Sequence, residues 1–399
     1  MTITLNEKEL ETIHNAKQIA NDIRDRVKET ETLRRIPNST IQQLKDHGIF
    51  KMLRPARYGG LEVNIQTYSQ VILEISKACA STGWVASLCA IREMMVAESF
   101  SEKTHLEIFS GDPDDVLFAG VYEPRSCTVK KVEGGYIVEE GHWMFCSGSL
   151  HATWGYFGMY LKDDLGNIQE QLLMTLPFEE LEVEDDWFTL GLRGTGSNAV
   201  HMKNVFIPEH RCTSFVNVLD GHFQSEHLRD NPLYSSALFP CLILSLALPG
   251  LGVMQEMLRL FHQSLPYRTA QHMGVKMIKD AASTHSILAE ATLKVETAEI
   301  YLMNIAKSID EWANKLTIMP KSERLKILAD IGYSNRLLNE AMQELLSIGG
   351  SGFVYDGNPM QRLIRDFITL HSHRSLSPVI TLENFGRHLS GLEPNQVRY

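Results

Sequence analysis

The sequence predicts an α+β fold in three successive parts: a helical N-terminal domain, a central β-sandwich or barrel domain, and a C-terminal bundle of long helices. Three observations predict it. Apolar residues recur at helical spacing through the first third. Short β-type runs separated by turn residues fill the middle. Long helical periodicity returns beyond a polar loop at residues 220–232 and continues towards the C-terminus. Helices, then strands, then helices is a segregated order, unlike the alternation of a doubly wound sheet.

Each element has its own justification. Residues 7–30 place Leu10, Ile13, Ala16, Ile19, Ala20 and Ile23 on one stripe. Pro37 precedes a short helix that Asn38 or Ser39 can cap and Gly48 can close. Residues 64–78 repeat the pattern with Tyr68, Val71, Ile72 and Ile75. Residues 82–100 are apolar on most sides, which predicts a buried helix. Gly111-Asp112-Pro113-Asp114 marks the change of character. Strands are predicted over 116–121, over 128–132 and 136–138 about the turn Glu133-Gly134-Gly135, over 154–161 and 171–176, and over 200–207. Helices are predicted over 234–264, 273–316, 322–348 and 359–389, an antiparallel bundle. The domains expected are 1–114, 115–220 and 221–399. Leu337, Leu338, Met342, Leu345 and Leu346 exceed what one exposed layer needs, and this points to self-association.

Composition sets limits. The chain has 399 residues, is 44% hydrophobic and carries a net charge of −11. An acidic balance argues against a nucleic-acid partner, which needs a basic face. The longest apolar stretch, residues 237–251, is interrupted by Pro240, Ser245 and Pro249 and falls short of a membrane span. No secretory pattern opens the sequence. The six cysteines form no C-x-x-C pair, so they read as reduced thiols in a cytoplasmic protein.

Four motifs carry chemistry. Gly194-Thr195-Gly196-Ser197-Asn198-Ala199 fits a dinucleotide pattern, but residues 200–207 directly after it have strand character, whereas that motif must open a helix. It reads as a glycine-rich β turn whose N–H groups and Ser197 hydroxyl can face a planar cofactor. Trp143 to His151 runs from a strand into a Ser147-Gly148 turn. Its hydroxyls can donate to a cofactor ring and Trp143 can border it; a buried strand with a serine turn is the plainer alternative. Gly349-Gly350-Ser351-Gly352 ends a long helix, with Gly349 as left-handed cap. Pro359 opens a helix carrying Arg362, Arg365 and Asp366, followed by His371 and His373. Two histidines at i, i+2 do not share a helix face, so no metal is expected; one near neutral pKa suits general-base work. No G-x-S-x-G elbow, Walker loop or H-E-x-x-H is present.

These motifs in this order resemble the acyl-CoA dehydrogenase superfamily over nearly the whole chain. The resemblance rests on Ile36-Pro37 to Leu44, Gly48-Ile49-Phe50, Pro55 to Gly60, Trp143 to Gly148, Gly191 to Ser197, Val205 to Pro208, Gly349 to Phe353, and Pro359-x-x-Arg362-x-x-Arg365-Asp366. It implies a C-terminal four-helix bundle, a flavin between bundle and β domain, and a homotetramer. Where many dehydrogenases carry a Tyr-Glu-Gly-Thr segment, this chain has His373-Arg374-Ser375-Leu376, without an acid. Ser81-Thr82-Gly83-Trp84, Ser147-Gly148 with His151, and the Asp366–His373 spacing are similar to the two-component, group D flavin-dependent monooxygenases. That branch implies reduced flavin (FMN or FAD) from a separate flavin reductase, O2, and oxygen transfer to a small organic substrate.

The residues expected to act are His373 as base, with Arg92, His151 and His371 as further catalytic candidates. Trp143, Ser147, Gly148, Ser197, Arg268, Gly349 and Gly350 are the cofactor candidates. Arg92 stands where that branch often has a histidine. Two alternatives stay open: an acyl-CoA dehydrogenase with Glu256 or Glu340 as base, and a non-catalytic scaffold.

Overall fold

A computed structural model describes residues 6–270 and 274–395. The chain opens with α1 (Glu7–Asp25), whose first turn is closed by a reciprocal pair: Asn6 accepts from the Glu9 N–H and Glu9 from the Asn6 N–H. Its buried stripe is Ile13, Ala16, Ile19, Ala20 and Ile23, while Leu10 is exposed. The helix expected to reach residue 30 breaks at Arg26, and α2 (Val27–Leu33) follows. Next comes α3 (Asn38–Asp46), entered from Pro37 without a side-chain cap; Asn38 instead accepts from Arg35. α4 (Ile65–Ala78) is capped by Asn64, and every residue of α5 (Ala80–Ser99) is buried. α6 (Glu102–Ile108) completes this part.

The strands are β1 (Phe118–Ala119), β2 (Ser126–Val132), β3 (Gly135–Cys146), β4 (Trp154–Lys162), β5 (Ile168–Pro177), β6 (Glu182–Val183), β7 (Asn198–Pro208) and β8 (Cys212–Ser214). They form two four-stranded sheets, β1-β4-β5-β8 and β2-β3-β7-β6. The run expected over 116–121 supplies only the two residues of β1, and β3 is far longer than expected. The sandwich core gathers Val138, Trp143, Phe157, Met174, Val200 and Ile207.

The short α7 (Phe215–Leu219) leads to α8 (Leu238–Ser264), α9 (Ala282–Ala313), α10 (Lys321–Ser347), α11 (Pro359–His371) and α12 (Pro378–Leu389). The start expected for the second of these long helices, Met273, lies outside the described residues. α8 is long and apolar enough to cross a membrane on composition, but it is buried as a core helix. The last helix expected, 359–389, is two. Pro378 starts α12, and a residue before proline is biased away from helical angles; Ser377 has ψ 117°. Leu337, Leu338, Met342 and Leu345 are buried within the chain. The large apolar side chains exposed on α9 are Leu293 and Ile300.

One hydrophobic core runs through both helical parts, from Ile19 and Ile72 to Leu251, Leu302 and Phe367. Polar ties reinforce it. Asp310, on α9, accepts the Ile65 and Gln66 N–H groups at 2.8 and 3.1 Å and so satisfies the start of α4. Arg54 and Glu93 form a bidentate pair at 2.9 and 2.8 Å, both buried.

Candidate active site

Two motifs far apart in sequence close on each other where α11 meets the β domain. Asp366 is buried, and its Oδ1 accepts the Leu192 N–H at 2.7 Å. Leu192 has φ 52°, a left-handed conformation costing an L-residue roughly 1–2 kcal/mol. Gly191 permits the approach: a Cβ there would stand 2.1 Å from the Arg365 carbonyl oxygen. Arg362 reaches Asp366 at 3.4 Å, and Arg365 pairs with Glu31 at 2.5 Å. Burial pushes the Asp366 carboxyl up to about 6, against the opposing pull of Arg362.

Beyond Leu192 the chain makes a 3-10 turn over Arg193–Thr195 and enters β7 at Asn198. No helix begins at Ser197, so the dinucleotide pattern lacks the helix it requires.

A ladder of hydroxyls links this turn to α5. Trp84 Nε1 donates to Ser147 Oγ at 2.9 Å; the Ser147 and Ser197 hydroxyls lie 2.7 Å apart, and those of Ser197 and Thr195 2.6 Å. Thr195 Oγ1 donates to the Leu192 carbonyl at 2.8 Å. An indole can only donate and a carbonyl can only accept, so the order is fixed. Ser147 gives its proton to Ser197, and Ser197 gives its proton to Thr195. Ser147 was expected to donate to a planar cofactor and Ser197 to face it; within the ladder their protons are committed, and both hydroxyls have lone pairs to offer. Gly148 (φ 80°) seats the turn beneath α5, where a Cβ would lie 3.3 Å from Val85.

His373 follows α11 and opens a 3-10 turn over Arg374–Leu376, so it is not on a helix face. Its ring centroid lies 5.8 Å from that of Trp84. Burial lowers its pKa to about 4, which leaves it neutral at pH 7. Nδ1 accepts the Ser375 N–H at 3.3 Å, and this bond assigns the neutral ring's proton to Nε2. Trp84, Ser147, Ser197 and His373 thus form one cluster. No carboxylate is bonded to any of the four among the described residues. The glutamates of the dehydrogenase alternative are engaged elsewhere: Glu256 is held by Arg259 through two 2.6 Å bonds, and Glu340 lies 3.3 Å from Lys294.

Other candidates fall differently. Trp143 is in the sandwich core, donating from Nε1 to the Gly158 carbonyl at 2.8 Å and packing on Phe157. A register shift between Trp143 and Cys146 turns the neighbouring Phe145 outward instead; it has φ 66° and meets Trp187 edge-on. His151 packs beside Arg35, and burial with that cation lowers its pKa to about 4. His371 stacks on Phe367. Arg92 is buried on α5, donating to the Gly120 carbonyl at 2.6 Å.

Arg268, Gly349 and Gly350 meet at a separate corner between α8 and α10. Arg268 donates to the Ile348 and Gly349 carbonyls and lies between the Phe261 and Phe353 rings. Its Nη1 is buried without a partner among the described residues. The left-handed residue here is Gly350 (φ 67°), not the expected Gly349, whose Cβ position is filled by the Phe353 ring.

One trio escaped the sequence because register, not spacing, assembles it. His142 and His201 face each other across β3 and β7 with rings stacked at 4.4 Å, and His201 Nε2 lies 2.9 Å from Glu184. Trp84 was visible within a motif, but its part in the site was not.

The site's donor set fits a reduced flavin. Acceptor-only hydroxyls complement ring N–H groups, and the unpaired Arg268 Nη1 suits a phosphate. Comparison with known proteins agrees. Residues 7–102 match the acyl-CoA dehydrogenase N-terminal domain, and residues 244–378 match the acyl-CoA dehydrogenase C-terminal domain. The flavin-dependent monooxygenase oxygenase subunit HsaA of Mycobacterium tuberculosis is 29% identical, with 94% of this chain and 93% of that protein covered. The oxygenase component of p-hydroxyphenylacetate 3-hydroxylase from Acinetobacter baumannii is 26% identical, covering 96% of this chain and 90% of that one. The structure of XiaF from Streptomyces sp., in complex with FADH2 and glycerol, superposes with a TM-score of 0.91 at 27% identity, covering 98% of both chains.

Fold, ladder and relatives together define a flavin-dependent oxidoreductase. The chain belongs to the acyl-CoA dehydrogenase superfamily, and within it is most similar to the oxygenase subunits of flavin-dependent monooxygenases.

Proposed function

We propose that this chain is the oxygenase of a two-component system, inserting one oxygen atom from O2 into a small electron-rich aromatic molecule. The observation that carries this reading is the Trp84–Ser147–Ser197–His373 cluster, which offers proton acceptors and no carboxylate. Removing an α-proton from an acyl thioester needs a free base, and Glu256 and Glu340 are both bound to cations.

Reduced flavin, when bound, supplies the oxygen-activating chemistry. The chain's own residues do the rest. Ser147 and Ser197 accept from the flavin ring, and because a reduced flavin carries more ring N–H than an oxidised one, their lone pairs select the reduced form. Gly148 seats the serine turn against α5, and Arg268 beside Gly349 and Gly350 receives a phosphate. His373 takes the substrate proton. Doing so at Nε2 requires the proton to move to Nδ1, which forfeits the long Ser375 bond. That bond is worth about 0.5–1.5 kcal/mol, small beside the roughly 10²–10⁴-fold that a positioned base contributes.

The assembly we propose is a homotetramer. Leu293 and Ile300 on α9 and Val379 and Leu389 on α12 are exposed apolar residues that it would cover. Six free, buried cysteines suit a reducing cytoplasm. The test is anaerobic titration with reduced and with oxidised FMN and FAD, followed by admission of O2 in the presence of phenols. Reduced flavin should bind at least tenfold tighter, and a hydroxylated product should form. Equal affinity, with O2 converted only to hydrogen peroxide for every phenol tried, counts against the reading.

A further inference from the structure

Three side chains on the outer face of the sheet β2-β3-β7-β6 bring metal-ligand atoms together. Trp143 and Val200 belong to the sandwich core, so their strand neighbours His142 and His201 point away from it. The two histidines are opposite each other in the β3–β7 register. The His142 carbonyl accepts the Arg125 N–H at 2.8 Å, on the β2 side. Towards β7 the pair is therefore of the non-hydrogen-bonded kind, in which side chains approach most closely. Their rings lie 4.4 Å apart and 20° from parallel. The third group comes from the end of β6. Glu182 pairs with His201, and the Glu184 N–H donates to the Ala199 carbonyl at 2.9 Å. Two positions along an extended chain return to the same face, so Glu184 stands beside His201, with Oε2 2.9 Å from His201 Nε2.

One ligand atom from each of the three residues lies within 4.8 Å of the other two. Donor atoms around a tetrahedral zinc stand roughly 3.3 Å apart, so small side-chain rotations close the set on an ion. A second observation points the same way. His142 Nε2 is buried and has no hydrogen-bond partner among the described residues, which leaves a ring nitrogen unsatisfied. Arg125 sets an opposing charge near His142, and Glu184 and Asp186 offset it. The Arg125 Nη1 is turned to the Met144 sulfur at 3.0 Å.

We propose that His142, His201 and Glu184 bind one divalent transition-metal ion, with zinc the best fit. Two imidazoles and a carboxylate are donors that zinc accepts, and water completes the shell. The ion joins β3 and β7 to the segment that follows β6, an edge strand of two residues. Trp187 in that segment donates from Nε1 to the Leu192 carbonyl at 3.0 Å, the carbonyl on which the hydroxyl ladder ends. The ion thus clips in place the segment that leads to the ladder.

The test uses the full chain without a polyhistidine tag, stripped with EDTA. Calorimetric titration with zinc chloride at pH 7.5 should show one ion per chain at micromolar affinity or tighter. X-ray absorption of the loaded protein should give only nitrogen and oxygen ligands at about 2.0–2.2 Å, two of them imidazoles. His142→Ala and His201→Ala should each weaken binding roughly 100-fold, the upper end of what losing a group that merely supports a ligand costs. Zinc should raise the melting temperature of the wild type and leave that of His201→Ala unchanged. Should His201→Ala melt early without metal, His201→Gln replaces it, with the same loss of zinc expected. Zinc binding that survives in the His201 variant, an affinity weaker than about 1 mM in the wild type, or sulfur in the ligand shell overturns the proposal.

Discussion

Asp366 Oδ1 accepts the Leu192 N–H at 2.7 Å, and the residue it holds is a leucine in a left-handed conformation. With Arg365 Nη1 donating to the Leu190 carbonyl at 2.8 Å, this bond ties α11, which delivers His373, to the turn that carries Thr195 and Ser197. Gly191 makes the contact possible. Gly191→Ala would force a methyl into the Arg365 carbonyl, and overpacking of this kind costs about 1–3 kcal/mol. Chemical denaturation should show that loss, and reduced-flavin binding should weaken with it. A variant as stable as wild type would mean the two backbones are free to separate.

The same carboxyl gives a pH signature. Burial raises Asp366 from 3.8 to about 6. A raised folded-state pKa gives stability that is fully present below 3.8 and is lost as pH rises through about 6. The difference corresponds to about 3 kcal/mol at 1.36 kcal/mol per unit. Asp366→Asn keeps an acceptor for Leu192 and cannot ionise. Its stability relative to wild type should therefore rise between pH 4 and pH 7. Parallel profiles for the two proteins would contradict the raised pKa.

The hydroxyl ladder makes its own prediction. Ser147→Ala leaves the Trp84 indole N–H buried without an acceptor, a cost of about 1–3 kcal/mol. On the proposed function it also removes an acceptor for the flavin ring. Affinity for reduced flavin should fall more than affinity for oxidised flavin in anaerobic fluorescence titrations. An equal fall for both would show that Ser147 does not read the redox state.

His373→Ala should lower the yield of product per O2 consumed by roughly 10²-fold or more, with peroxide released instead. His373→Gln, which retains an N–H donor but cannot take up a proton, should not restore it. Since burial holds His373 near pKa 4, the rate should show no limb near pH 6.5 from this residue. Full coupling in His373→Ala would transfer the role elsewhere, with His151 and His371 as the remaining histidine candidates.

The three-part order was legible because periodicity survives burial: the stripes of α1 and α4 and the apolar run of α5 appear directly in the residues. Breaks were harder to read. Pro378 splits the last helix, and only its effect on Ser377 marks the boundary. The motifs at Ser147, Ser197 and Asp366 were visible as small or charged residues at turns, but their bonds to one another span from 50 to 174 positions, which no local pattern encodes. The burial of Trp143 and the exposure of Phe145 were not legible, because the register shift that sets them is a property of β3 paired with β7. Arg92 drew notice as a departure from the monooxygenase pattern; its bond to the Gly120 carbonyl could be found only in three dimensions.

The central claim is oxygen insertion, and isotope labelling tests it most directly. The chain would be mixed with chemically reduced FMN or FAD, ¹⁸O₂ and a panel of phenols and aromatic carboxylates, and the products analysed by mass spectrometry. Expected is a hydroxylated product carrying one ¹⁸O atom, dependent on the chain and lost in His373→Ala. The contrary result is no ¹⁸O in any product, together with anaerobic bleaching of the oxidised flavin by an acyl-CoA thioester.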